Sequence, residues 1–309
     1  SCVQPSTSYS ENPRHRLSLG SGFPDRRSSE GDFVVIEPEW YRANRANWDE
    51  RVGVHIGPGG YDLSDLRAGR GKLNAIEEAE LPLVEGKRLA HLQCHFGADS
   101  LTLAQRGAEV IGLDFSAPAI AVARKLAGEL GLADRARFVH ANLYDALTAI
   151  PPPHGFDMVL VTWGAICWLP DIARWARIVA ALLRPGGSLY LAEGHPTAYV
   201  FDDATRSPDG TPGLFAPYFS HEPVVDAEGC DYVDPDARLA NATIYNWIHP
   251  LGDVVTSLVA SGMTLDWLHE HDAVPWHMFK ILVKDRSGLY RWPDRPRLPL
   301  AFSLVATRR

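Results

Sequence analysis

The chain is poor in cysteine, in long apolar runs and in positive charge, and each shortage excludes something. Its four cysteines, Cys2, Cys94, Cys167 and Cys230, stand too far apart for a zinc site of the CxxC kind. They fit a protein kept reduced in the cytoplasm. No apolar stretch approaches the ~20 residues of a membrane span. Thirty basic residues against 38 acidic ones leave a net charge of −8, so there is no overall basic footprint for nucleic acid. The first residues lack an apolar core segment, so no secretory leader is expected, and the missing initial Met points to a trimmed or processed start. A GxxxxGK[ST] phosphate loop is absent as well.

What is present, 46% hydrophobic and 22% charged residues in a chain of 309, suits a globular protein of one large domain or two small ones. Residues 1–32 are rich in Ser, Arg, Pro and Gly without period and read as a disordered tail. The remainder, 33–309, reads as one domain, with a helical cap over 33–87 and a turn-rich insert over 195–250. Trp40–Ile56 has a helical pattern, and a second short helix is expected over 72–80. Strands are then expected at 88–94, 108–115, 136–142, 155–163 and 188–194. They alternate with helices at 98–107, 116–131 and 169–187. Ser116 opens the second of these, Gly107 and Gly131 close two of them, and Pro185-Gly186-Gly187 closes the third. Ile172, Trp175, Ile178, Val179 and Leu182 form one apolar stripe. After the insert come a helix at 251–262 and strands at 263–271 and 299–308. No helix separates those two strands, so they form an antiparallel closing pair. The fold class is therefore α/β, a doubly wound, mostly parallel sheet wrapped on both faces.

Ligands of such sheets lie beyond the carboxyl ends of the strands. The loop after the first strand reads HLQCHFGADS, residues 91–100. A dinucleotide site needs GxGxxG so that backbone approaches a pyrophosphate. Here only Gly97 is present, and His95 carries a ring where a glycine would stand. A nucleoside cofactor without pyrophosphate needs less room, but still a carboxylate for its ribose hydroxyls. Asp114, at the end of the second strand, suits that role. The competing account, that Asp114 caps the next helix, is weakened because Ser116 already offers the cap.

These segments resemble the class I S-adenosylmethionine-dependent methyltransferases. The carriers are RLAHLQCHFGADSLTLAQRGAEVIGLDFSAPAIAVARKL, FVHANLYDAL, FDMVLVTWGAICWLPD and LLRPGGSLYLAEGHP. The family's first loop is LDLGCGTG. This chain has AHLQCHFG, with His91 at the acid position and Gln93 and His95 at two glycine positions. The resemblance implies a Rossmann-like seven-stranded sheet in the order 3-2-1-4-5-7-6 and S-adenosylmethionine as cofactor. It implies cofactor contacts from Gln93, Gly97, Asp114, Phe115, Ser116, Asn142, Leu143 and Trp163. Tyr41, Trp48 and Arg51 of the first helix, with Tyr61, are candidates for the methionine end, since ring faces attract cations. Trp48 could equally be helix packing, and His91 and His95 loop packing.

Methyl transfer from a sulfonium is an in-line displacement in which alignment supplies much of the rate. A base is needed only when the nucleophile must lose a proton. His195, with Glu193 two residues before it, and His249 are the catalytic candidates. The bland account of His195 is a bond to the insert backbone. Within the insert, Tyr245 and Trp247 are the candidate substrate contacts, against the alternative of a small aromatic core. Nine carboxylates against two arginines in the insert disfavour a polyanionic acceptor. His269, His271 and His277 are more simply hydrogen-bonded than metal-binding, and no metal is expected. The reading is transfer of a methyl group to O or N of a small-molecule acceptor, by a cytoplasmic monomer or homodimer with no nucleic-acid or membrane partner. Its rivals are a methyltransferase of protein or RNA and a non-catalytic cofactor-binding protein.

Overall fold

A computed structural model describes residues 37–234 and 236–309. The expected tail over 1–32, and Cys2 with it, lies outside the described residues. The chain after Pro38 enters α1 (Glu39–Ile56) and two short helices, α2 (Ser64–Arg67) and α3 (Ala75–Glu80). The single helix expected at 72–80 is thus shorter and is preceded by another. Then follow β1 (Arg88–Leu92), α4 (Ala98–Gln105), β2 (Glu109–Asp114), α5 (Ala117–Glu129), β3 (Ala136–His140) and α6 (Ala146–Ala149). Next come β4 (Phe156–Thr162), α7 (Ile172–Leu182), β5 (Leu183–Gly194), α8 (Leu251–Ala260), β6 (Met263–His271) and β7 (Ala301–Arg308).

The seven strands form one sheet in the order β6-β7-β5-β4-β1-β2-β3. Strands β1 to β5 pair in parallel, whereas β7 runs antiparallel to both β5 and β6. The order is the one the family resemblance implies, and the antiparallel closing pair is the one the sequence pattern predicts. Ser116 caps α5, its hydroxyl accepting the Ala119 N–H at 3.3 Å, and Asp171 caps α7 through the Arg174 N–H at 2.7 Å. The helix expected to begin at 169 starts later because Asp171 takes the cap. It ends at Leu182, and β5 already runs through Pro185-Gly186-Gly187. Gly187 is required by close approach there: a Cβ would lie 2.7 Å from the Phe156 carbonyl oxygen on β4.

Two apolar layers hold the sheet. One gathers Trp175, Ile178, Val179 and Leu182 of α7 with Val254 and Leu258 of α8 against β4, β5 and β7. The other gathers Leu101, Leu103, Ile120 and Ala123 of α4 and α5 with Leu89, Val110 and Phe138. Each large side chain so buried contributes roughly 2 kcal/mol, which makes the sheet a rigid platform for the loops at its carboxyl edge. No helix among the described residues is long and apolar enough to cross a membrane. Residues 201–246 carry two short ladders, Phe201–Asp202 with Gly213–Leu214 and Val224–Asp226 with Ile244–Asn246. A three-stranded sheet between β6 and β7, formed by Ala273–Val274, Tyr290–Arg291 and Val283–Lys284, has no counterpart in the sequence pattern.

Candidate active site

The loop from β1 to α4 turns by placing alternate residues in the left-handed region: Gln93 at φ 57°, His95 at φ 50° and Gly97 at φ 78°. Only the last is a glycine. At Gly97 no other residue fits, since a Cβ would lie 2.5 Å from the Phe138 ring. Gln93 and His95 adopt a conformation that costs on the order of 1 kcal/mol or more each outside glycine. Local bonds hold them there. The Gln93 amide donates to the Ala165 carbonyl at 2.7 Å, and the His95 N–H donates to Asp114 Oδ2 at 2.8 Å. The loop thus takes three left-handed positions with a single glycine.

Asp114 lies at the carboxyl end of β2, 5% exposed. Its second oxygen accepts the Ser116 N–H at 2.9 Å. Burial, opposed by these N–H groups and reinforced by the nearby Asp49 charge, pushes its carboxyl up to about 6. Beside it runs a narrow slot of about 20 Å³, lined by Trp40, Tyr41, Gln93, Leu113, Phe115, Asn142, Leu143, Trp168 and Leu169. Asn142 Oδ1 accepts the Tyr144 N–H at 2.9 Å. Ligand pockets for small molecules measure ~300–1,000 Å³, so this slot is closed. Helix α1 closes it: Trp40 meets Trp247 edge-on at 5.5 Å, Tyr41 meets Phe115 at 5.9 Å, and Trp48 meets Trp168 at 5.3 Å.

Around the loop several buried polar atoms lack a partner: Trp48 Nε1, Asp49 Oδ1, Gln93 Oε1 and His95 Nδ1. Buried polar groups are almost always paired, so these atoms call for a polar partner, a water or a ligand. An amino-acid nucleoside fits this donor set. Asp114 would hold ribose hydroxyls, the slot by Asn142 and Leu143 a base, and the orphaned atoms an ammonium and a carboxylate.

Other sequence candidates stand elsewhere. Arg51 is already paired. Its guanidinium is committed to Asp231 Oδ2 at 2.8 Å, to Asn47 Oδ1 at 2.7 Å and to the Cys230 carbonyl at 3.0 Å. That carboxylate, 180 residues away, satisfies the charge that a cofactor carboxylate was expected to meet. Trp163, at φ 51°, turns away from the slot; its indole donates to buried Glu77. Trp168 lines the slot in its stead. Burial, with the Asp99 charge adding, pushes the Glu77 carboxyl up to about 8, and its Oε2 has no partner.

Glu193 is not free for proton transfer. Its oxygens accept four main-chain N–H groups, from Gly164, Ala165, Ile166 and Gly194. His195 points to different partners: Nδ1 accepts the Thr197 N–H at 3.1 Å, and Nε2 stands 3.0 Å from Glu270. Burial lowers its pKa, with Glu270 opposing. His249 Nε2 donates to the Leu169 carbonyl at 2.7 Å, and burial lowers its pKa too. Trp247 and His249 border a second cavity of about 270 Å³ with Asp171, His221 and Asp253. Tyr245 is tied by its backbone to Asn44 of α1. His91 is buried against Ser100 and pushed down to about 4. His269 meets Glu80 at 2.9 Å and His271 meets Ser303 at 2.8 Å. No group of three or more metal-binding side chains stands together among the described residues. His55, Asp49, Glu77 and Asp231 are not among the candidate site residues of the sequence reading; only His55, as a polar residue on a buried helix face, carries a usable signal.

Residues 90–187 match the family model described as a methyltransferase domain. A ubiquinone biosynthesis O-methyltransferase of Stutzerimonas stutzeri (strain A1501) is 34% identical over 118 residues, 38% of this chain and 49% of that protein. A demethylmenaquinone methyltransferase of Thermus thermophilus is 36% identical over 140 residues, 43% of this chain and 56% of that protein. The chain thus spans about half the length of these relatives. Among solved structures, an S-adenosylmethionine-dependent methyltransferase from Mesorhizobium loti superposes with a TM-score of 0.50 at 22% identity, covering 75% of this chain and 96% of that one. Another, from Clostridium acetobutylicum ATCC 824, gives 0.51 at 10% identity, covering 84% and 96%. These likenesses establish the fold.

Proposed function

We propose that this chain, whose residues 90–187 match a methyltransferase-domain model, is an S-adenosylmethionine-dependent enzyme that transfers a methyl group to O or N of a small-molecule acceptor. The observation that carries this reading is the set of orphaned polar atoms on Trp48, Asp49, Gln93 and His95 beside Asp114. Bound S-adenosylmethionine would supply an electrophilic methyl on a cationic sulfur. The chain's own residues do the rest. Asp114 holds the ribose, Asn142 and Leu143 flank the base, and the strained loop fixes the amino-acid end. Helix α1 excludes water by closing Trp40, Tyr41 and Trp48 over the slot. Holding nucleophile and methyl in line is the main contribution required of such a site.

A small acceptor is favoured by the two relatives described above, whose names place them in ubiquinone and menaquinone chemistry. The acidic insert adds to this, since a surplus of carboxylates repels a polyanion such as RNA. Calorimetric titration with S-adenosylhomocysteine, beside NADH as control, tests the cofactor. Micromolar binding that is lost in a folded Asp114→Ala variant supports the reading. No binding to folded wild-type protein overturns it. Transfer of labelled methyl to a panel of phenols and amines then tests the acceptor class.

A further inference from the structure

Three side chains from three distant segments form a buried line. Asp231 of the insert, His55 of α1 and His95 of the first loop are joined by bonds of 3.0 Å (Asp231 Oδ2 to His55 Nε2) and 2.7 Å (His55 Nδ1 to His95 Nε2). Asp231 is 1% and His55 0% exposed.

The carboxylate sets the direction of the first bond in the line. Asp231 Oδ1 accepts the N–H groups of Val233 and Asp234, and Oδ2 accepts Arg51. The carboxylate therefore meets His55 only as an acceptor, so His55 Nε2 bears the hydrogen. With a single ring proton, placed at Nε2, His55 offers a lone pair at Nδ1, to which His95 Nε2 donates. His95 Nδ1 is left as a bare lone pair. That atom is buried and has no partner.

We propose that Asp231 and His55 are positioning residues that act through His95 to present a fixed lone pair to the ammonium group of the cofactor's amino-acid end. This rests on the cofactor reading above. An ammonium suits the lone pair better than a proton to be abstracted. Arg51 already lies 2.8 Å from the same carboxylate, so an imidazolium in the line would stand beside an unneutralised cation. Burial also lowers the His95 pKa well below its ordinary value, keeping the ring neutral. The device ties the insert to the cofactor loop, because the lone pair is oriented only while Asp231 is in place.

The test compares S-adenosylhomocysteine with 5′-methylthioadenosine, which has the same nucleoside and thioether but no amino acid. Calorimetry on His55→Phe is expected to show affinity for the first ligand falling at least tenfold, and affinity for the second changing less than twofold. Asp231→Ala is expected to behave alike and serves if His55→Phe does not fold. In ligand-free wild-type protein, nitrogen-15 NMR of the histidines is expected to report His95 protonated at Nε2 and bare at Nδ1. Equal losses for both ligands, no loss for either, or the opposite His95 tautomer overturns the proposal. A fall in turnover with unchanged S-adenosylhomocysteine affinity also overturns it and assigns the ring to the acceptor. Failure of folded wild-type protein to bind either nucleoside overturns the cofactor reading itself, and this proposal with it.

Discussion

Glu193 holds Ala165: the carboxylate at the end of β5 accepts the Ala165 N–H at 2.7 Å, and with it those of Gly164 and Ile166 at 2.6 and 3.1 Å. Three consecutive main-chain donors after β4 are thereby satisfied by one buried side chain. Ala165 in turn offers its carbonyl to the Gln93 amide. The loops after β1, β4 and β5 are thus one bonded unit, and Glu193 is its anchor.

The Glu193→Gln variant should therefore lose stability rather than chemistry. Its NH2 group would face main-chain donors and leave at least one of them unpaired, at a cost of about 2–3 kcal/mol. Thermal unfolding is expected to move down by roughly 5–10 °C, with nucleoside affinity largely retained in the folded protein at room temperature. Unchanged unfolding with abolished methyl transfer would instead return Glu193 to catalysis.

Strain in the first loop can be isolated at Gln93. Substitution by Ala and by Gly both remove the bond to Ala165, so the two variants differ chiefly in tolerance of φ 57°. Gly is expected to be the more stable by about 1 kcal/mol. In an ordinary position the entropy of the unfolded chain makes Ala the more stable. Urea denaturation of the pair decides it, and an Ala variant equal to or above Gly would mean that the turn relaxes out of the left-handed region.

The sheet is legible in the sequence because its signals are local. Alternating apolar strands, a helix opened by Ser116, and the absence of a helix between β6 and β7 each lie within a few residues of one another. Asp114 and Gln93 are legible because they flank a recognisable turn. Arg51 is not, since its partner is one of nine carboxylates in the insert and nothing nearby in the chain distinguishes Asp231 from the others. Trp163 misleads for a related reason. Its place at the end of β4 suits a cofactor contact, but a left-handed backbone turns its indole to Glu77 on α3, 86 residues earlier. The short sheet at 273–291 is invisible to periodicity because strands of two residues show no period.

Closure by α1 predicts a kinetic effect. A slot of about 20 Å³ admits a nucleoside only when Trp40 and Tyr41 move. Trp40→Ala removes the edge contact with Trp247 and should let the helix open more readily. Stopped-flow mixing with S-adenosylhomocysteine is expected to give a faster association and a still faster dissociation, for a net loss of affinity of about tenfold, or ~1.4 kcal/mol. An unchanged association rate would show that α1 is not what gates the slot.

Glu77 gives the stability of the protein a pH dependence whose sign can be stated beforehand. Burial and the Asp99 charge push its carboxyl up to about 8 in the fold, against 4.5 for an ordinary glutamate. The folded protein keeps a proton that the unfolded chain has lost, so stability is full below pH 4.5 and declines as pH rises toward 8. The decline is on the order of 5 kcal/mol for a shift of this size. Glu77→Gln keeps an oxygen for the Trp163 indole and removes the titration. The variant should match wild type in guanidinium denaturation near pH 4.5 and exceed it by a few kcal/mol above pH 8. Asp99 and Asp114, each raised to about 6 by burial, remain in the variant. Both proteins should therefore share a downward slope between about pH 4 and 6, and the separation between them should keep widening up to about pH 8. A difference that stays constant across that range would mean that Glu77 is already ionised in the fold, with its second oxygen satisfied by water.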